Sequence, residues 1–168
     1  MHRHGVLLRF YVLSLKIIEK RHITLSKSKN FYVVYLWEDK MIIFGIDPGF
    51  AITGYGVIEK LGNKYKVLDY GVITTKAGLD LSVRLNIMYE EIVRKFDEHK
   101  PDCVAMEELF FCKNLTTGIA VAHGRGVLLL AASQLKKPFF EYTPLQIKQA
   151  ITGYGKADKK QMQKMAHV

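Results

Sequence analysis

From residue 41 onward, apolar positions recur at spacings that switch between those of strands and those of helices. Met41–Ile46 is an apolar run that ends in Asp47-Pro48-Gly49, a strand stopped by a sharp turn. Gly54–Glu59 and Tyr65–Thr75 read as two more strands, joined at Leu61-Gly62-Asn63. Three strands with links this short predict an antiparallel meander. Over residues 81–99, Leu81, Leu85, Met88, Ile92 and Phe96 recur at three- and four-residue steps, the stripe of an amphipathic helix. Glu90–Arg94 and Glu91–Lys95 support its outer face at the i,i+4 spacing.

Asp102–Met106 predicts a short buried strand closed by Glu107. A second helix, about 115–134, carries Gly118, Ala120, Ala122, Gly124, Gly126, Ala131 and Ala132. Side chains this small allow close backbone approach, as in a tightly packed central helix or a dimer seam. Pro138–Tyr142 is a further strand, and Pro144 opens a third helix that Gly153-Tyr154-Gly155 interrupts. The basic segment Lys156 to Lys164 follows. The order β-β-β-α-β-α-β-α predicts an α/β fold, a mixed five-stranded sheet with helices on both faces.

The first 40 residues read differently. Val6–Ile18 is apolar but broken by Arg9 and Lys16, and no small-residue cleavage site follows, so it makes a poor signal peptide. No apolar run approaches the roughly 18 residues of a membrane span. Thr24–Asn30 reads as a polar, basic linker, and Phe31–Trp37 as a strand with no hairpin partner. Residues 1–40 are therefore expected to be an N-terminal extension and residues 41–168 the folded domain.

A chain of 168 residues that is 49% hydrophobic suits one domain with a real core and excludes a disordered protein. Its net charge of +9 lies at the two ends, residues 1–40 and 136–168, around a near-neutral middle. That asymmetry favours an anionic partner such as nucleic acid, the plain alternative being a solvated surface. Cys103 and Cys112 lack zinc-ligand spacing and are too few for a disulfide framework, so a reduced, cytoplasmic protein is the default. The six histidines show no metal spacing either, and neither a serine triad nor a Walker loop is present.

The chemistry is carried by carboxylates. Asp47 ends an otherwise apolar strand, where its charge is costly to bury unless paired or metal-bound. Glu107 holds the matching place after 103–106, with Glu108 the alternative that strand alternation disfavours. If the two strands are parallel neighbours, both carboxylates reach the same end of the sheet, where open α/β folds place their sites. Two such oxygen ligands suit Mg2+; the alternative is that Asp47 only caps a turn. Lys148, Lys156, Lys159 and Lys160, with Gly153 and Gly155, form a second candidate site for phosphate, or else a solvated helix face. Phe110 and Phe111 follow Glu107 and suit either base stacking or the core.

IFGIDPGFAITGYGVIE (43–59), AMEELFFCKN (105–114), AHGRGVLLLAA (122–132) and EYTPLQIKQAITGYGKADKKQMQKM (141–165) together resemble the bacterial RuvC family. These are Holliday junction resolvases, crossover junction endodeoxyribonucleases of RNase H-like fold. The likeness runs from Met41 almost to the end, about three quarters of the chain. It implies a homodimer that binds four-way junction DNA and nicks two strands of like polarity symmetrically, using two Mg2+ ions per complete site. Asp47 and Glu107 would be catalytic metal-binding carboxylates, and Phe110 the aromatic that stacks at the junction centre. Lys148 and Lys159 would contact DNA phosphate, helix 115–134 would lie at the dimer interface, and RuvA and RuvB would be the motor partners.

Two departures from the family stand out. It has no counterpart to residues 1–40, and its last helix, with the remaining catalytic carboxylates, would follow Val168. Two-metal cleavage needs ligands enough to hold two ions about 4 Å apart, so Asp47 and Glu107 alone are expected to hold at most one ion well. Cleavage by this chain is accordingly expected to be impaired or absent. The competing readings are a junction-binding protein without catalysis and another RNase H-like nuclease. Actin-like and sugar-kinase ATPases share the Gly-Ile-Asp strand, but they need a second lobe for which the chain has no room.

Overall fold

The computed structural model describes residues 25–28, 31–34, 40–108 and 115–152. In chain order the elements are β1 (Leu25–Ser28), β2 (Phe31–Val34), β3 (Lys40–Asp47), β4 (Ile52–Leu61), β5 (Lys64–Thr74), α1 (Leu81–His99), β6 (Cys103–Glu107), α2 (Leu115–Gln134), β7 (Phe139–Tyr142) and α3 (Pro144–Thr152). Five strands make one mixed sheet in the order β5-β4-β3-β6-β7. The antiparallel meander β3-β4-β5 and the parallel additions of β6 and β7 follow the expected pattern.

The N-terminal stretch departs from expectation. Phe31–Val34 does have a partner, because Leu25–Ser28, expected to be linker, pairs with it antiparallel in a sheet of its own. Leu25 is the only apolar residue in that partner strand, so its own side chains carry no strand signal and its backbone is recruited by β2. Two residues separate the strands, the length of the commonest hairpin connection. Glu107 also differs slightly, standing as the last residue inside β6 instead of just beyond it.

The core lies between one sheet face and the two long helices. Phe44 and Ile46 of β3, Tyr55 and Val57 of β4, and Val104 and Met106 of β6 pack with Met88, Ile92 and Phe96 of α1 and Leu128, Ala131 and Ala132 of α2. Both long helices thus cover the same face, and the small residues at 131 and 132 let α2 approach closely. The ring of Phe96 meets that of Phe44 edge-on at 4.8 Å, a favoured aromatic geometry. On the opposite face, Ile43, Ile58, Cys103 and Ala105 are also buried. Helix α1 stops at Lys100, whose left-handed backbone lets its N–H donate to the Phe96 carbonyl.

Candidate active site at the carboxyl end of the sheet

Strands β3 and β6 run parallel in a register that pairs Ile43 with Cys103 and ends with Ile46 beside Met106. One step further along both strands stand Asp47 and Glu107, on backbones about 4.8 Å apart. Asp102 pins this register from the other end. Its N–H donates to the Ile42 carbonyl at 2.8 Å, and its carboxylate accepts the Ile42 N–H at 2.7 Å.

Strand alternation puts Asp47 on the face of Gly45 and Ile43, opposite the helix-covered core, and Glu107 on the same face with Ala105. Antiparallel β4 adds Gly54 opposite Asp47 and Gly56 opposite Gly45. Three glycines therefore place no side chain on that face next to the carboxylates. Asp47 is half-buried, and Glu107 is 9% exposed. Two adjacent hard oxygen donors, withdrawn from bulk water at the end of a sheet, fit the demands of a small divalent cation.

The loop that follows Asp47 is tightly held. A side chain on Gly49 would collide with the Ile52 carbonyl. The Thr53 hydroxyl donates to the Gly49 carbonyl at 2.6 Å, the Thr75 hydroxyl to the Phe50 carbonyl at 2.8 Å, and the Thr75 N–H to the Ala51 carbonyl at 3.0 Å. Arg84 joins from α1. Its Nε donates to the Thr75 hydroxyl at 3.0 Å, and its guanidinium carbon lies 3.8 Å over the Phe50 ring. None of these residues was expected at the site from sequence. Their one available signal was an arginine a turn before Met88, on the apolar side of an amphipathic helix.

A second group of possible ligands lies elsewhere. Asp69, Glu98 and His99 have donor atoms within 4.8 Å of one another. Asp69 pairs across the sheet with Val57, on the helix-covered face and thus on the side away from Asp47. Lys95 Nζ already sits 2.6 Å from Asp69 Oδ2, with His99 Nε2 at 3.0 Å and the Tyr55 hydroxyl at 3.2 Å. Burial alone would raise the Asp69 pKa, but hydrogen bonds from Lys95 and His99 outweigh it and hold the carboxyl below its ordinary value. Burial likewise opposes the Lys95 charge, and contacts with Asp69, Tyr55 and Glu98 raise its pKa nonetheless. An ammonium in the middle of the group makes it an ion-pair network joining β5 to α1.

The other residues expected to bind DNA divide. Lys148 is half-buried on α3. Phe110 and Lys159, like Phe111, Lys156 and Lys160, lie outside the described residues. Glu141 forms an ion pair with Arg125 of α2 and aligns with core-facing Met106, away from the Asp47–Glu107 pair. On α2, Leu128 is buried, whereas Ile119 and Leu130 are about half exposed and some three turns apart on one side. Among the described residues no helix is long and apolar enough to cross a membrane.

Comparison with known proteins bears on this end of the sheet. A family model described as crossover junction endodeoxyribonuclease RuvC matches residues 43–168, and nucleases of that family are metal-dependent. The crossover junction endodeoxyribonuclease RuvC of Ruminiclostridium cellulolyticum is 54% identical over 125 residues, covering 74% of this chain and 75% of the relative. That of Clostridioides difficile is 53% identical over 125 residues, 74% of each chain. Among solved structures, Thermus thermophilus RuvC in complex with Holliday junction substrate matches with a TM-score of 0.70 at 31% identity, covering 74% of this chain and 76% of that one. Ydc2, the yeast mitochondrial Holliday junction resolvase, matches at 0.52 and 13% identity over 66% and 54% of the two chains, a likeness of fold.

Proposed function

The chain belongs to the RuvC family of crossover junction endodeoxyribonucleases, and on that footing we propose that it acts on four-way junction DNA with Mg2+ held by Asp47 and Glu107, cleaving it more slowly than a site that holds two ions. The observation that carries this reading is the parallel β3–β6 register, which continues by one step to those two carboxylates. The chemistry such an ion supplies is Lewis acidity toward the scissile phosphate. Asp47 and Glu107 furnish the negative charge that retains the cation. The side-chain-free backbone at Gly45, Gly54 and Gly56 lets a DNA strand approach that face closely.

Away from the carboxylates, Lys148 and Lys159 neutralise DNA phosphates without reading sequence, and Phe110 stacks on a base unpaired at the junction centre. Two copies of the chain associate through the outer side of α2, a reading supported by exposed Ile119 and Leu130. A dimer matches the two-fold character of a junction cut at two places. RuvA and RuvB remain the expected motor partners, and the cytoplasm the expected compartment. Residues 1–40 precede the matched stretch and are taken as an extension, except that Lys40 already opens β3 of the nuclease sheet.

The test incubates the chain and Asp47→Asn with a labelled four-way junction and with linear duplex, with and without Mg2+, scoring binding and nicking separately. Nicking confined to the junction, dependent on Mg2+ and absent from Asp47→Asn supports the reading. Junction binding with no nicking under any condition overturns the catalytic part for this chain. Equal nicking by Asp47→Asn overturns the site. Leu130→Glu is expected to shift the sedimentation coefficient from dimer to monomer.

A further inference from the structure

We propose that Arg84 is a positioning residue for Asp47: from the first turn of α1 it clamps the loop on which the placement of that carboxylate depends. The inference rests on the metal-binding reading of Asp47 and adds a residue to it. Asp47 is the last rung of β3, paired with Gly54, and the chain re-enters β4 at Ile52. Only Pro48, Gly49, Phe50 and Ala51 lie between. A loop this short transmits any displacement straight to the rung that bears the carboxylate.

Arg84 meets that loop in three ways. Its guanidinium stacks on the Phe50 ring, its Nη2 approaches the Phe50 carbonyl at 3.5 Å, and its Nε donates to the Thr75 hydroxyl at 3.0 Å. The same hydroxyl donates a hydrogen bond to the Phe50 carbonyl, so Thr75 bridges the arginine to the loop. On the far side, the Phe50 ring abuts α2, since a Cβ on Gly124 would stand 3.6 Å from it and 2.8 Å from Met88. Phe50 is thereby held between the arginine and the helical core.

The contacts of Arg84 are a ring face, a carbonyl and a hydroxyl. Among the described residues no carboxylate pairs with it. What it secures is geometry, then, through the ring, carbonyl and hydroxyl it meets. Its planar fork suits this task, because one face can stack while the edge donates. A lysine keeps the charge but loses both features. Groups that orient a metal ligand without touching the metal commonly set affinity by about 10- to 100-fold.

The experiment titrates Mn2+, counted by electron paramagnetic resonance, into the full chain and into Arg84→Met, Arg84→Lys and Asp47→Asn, with urea unfolding measured alongside. Arg84→Met is expected to raise the Mn2+ dissociation constant about tenfold, with Arg84→Lys recovering only part of the loss. In junction nicking, the Mg2+ concentration for half-maximal rate rises while excess Mg2+ restores the maximal rate. A merely destabilised protein would instead lose amplitude at every Mg2+ concentration. If Arg84→Met fails to fold, Thr75→Val removes the bridging hydroxyl and is expected to weaken Mn2+ in the same direction. Affinity within twofold of the parent in the folded variant overturns the role of Arg84 and leaves the metal site standing. A parent chain that binds Mn2+ no better than Asp47→Asn overturns the metal reading, and the positioning role with it.

Discussion

Asp69→Asn separates an ion-pair network from a metal site, and the structure sets the size of the effect. The Asp69 carboxylate accepts from the Tyr70 N–H at 2.8 Å and faces Lys95 at 2.6 Å, His99 at 3.0 Å and the Tyr55 hydroxyl at 3.2 Å. The Lys95 side chain is only 13% exposed and that of Asp69 26%. Breaking a fully buried pair by removing one partner costs about 3–5 kcal/mol, whereas an exposed pair is worth about 0–1 kcal/mol. A cluster about a quarter open to solvent falls between, so Asp69→Asn is expected to cost about 2 kcal/mol at neutral pH. That is a sizeable part of the roughly 5–15 kcal/mol by which domains are stable.

The pH dependence gives a second handle. The folded Asp69 pKa lies below its ordinary value. Its contribution is therefore complete above the unfolded aspartate pKa of about 3.9 and is lost as pH falls through the folded value. Lys95 works in the opposite sense. Its pKa is raised, so its contribution is complete below about 10.4 and is lost as pH rises through the folded value. Urea unfolding followed by circular dichroism, at neutral pH and down the acid limb, reads both quantities. The parent should lose stability more steeply in acid than Asp69→Asn, and Lys95→Met should add little on top of Asp69→Asn. A loss under about 0.5 kcal/mol, or parallel acid limbs for the two proteins, would refute the reasoning.

Phe96 is 1% exposed and packed edge-on against Phe44, so Phe96→Ala should cost about 3–5 kcal/mol in the same urea assay. Burial, reinforced by the Asp102 carboxylate, pushes the Cys103 thiol up to about 12. In a Cys112→Ser background Cys103 should therefore resist a thiol reagent in mildly alkaline buffer until the chain is unfolded, and rapid native labelling would contradict its placement. Lys148→Ala and Lys159→Ala should each weaken junction binding about equally across sequences and reduce the slope of log affinity against log salt by about 1.

Elements whose signal is local are legible in the residues themselves. Strand β3 is marked by an apolar run closed by Asp-Pro-Gly, and α1 by the stripe Leu85, Met88, Ile92 and Phe96, whose last three members are fully buried. The ends of that stripe are less faithful. Leu81 is 44% exposed, while Arg84 fills the neighbouring position and reaches the loop after Asp47. Strand β1 escapes such reading because its residues lack strand character and its backbone pairs with a better strand. The facing of Asp69 escapes it because β5 shifts register against β4 beside Val57 and Ile58. One extra residue there reverses which side chains meet the helices.

Sequence alone established that Asp47 and Glu107 each stand at the end of an apolar strand, and motif likeness assigned them to one family site. That these ends are neighbours is a property of the tertiary structure. It follows from β6 inserting beside β3 in parallel, about 60 positions later in the chain, with Asp102 anchoring the register. Periodicity records which face of an element is buried, because burial acts on each residue separately. Adjacency depends on pairing between distant segments, and so do the clamp of Arg84 on Phe50 and the meeting of Asp69 with Lys95. Their energies arise only once the whole sheet and both long helices have closed on the same core.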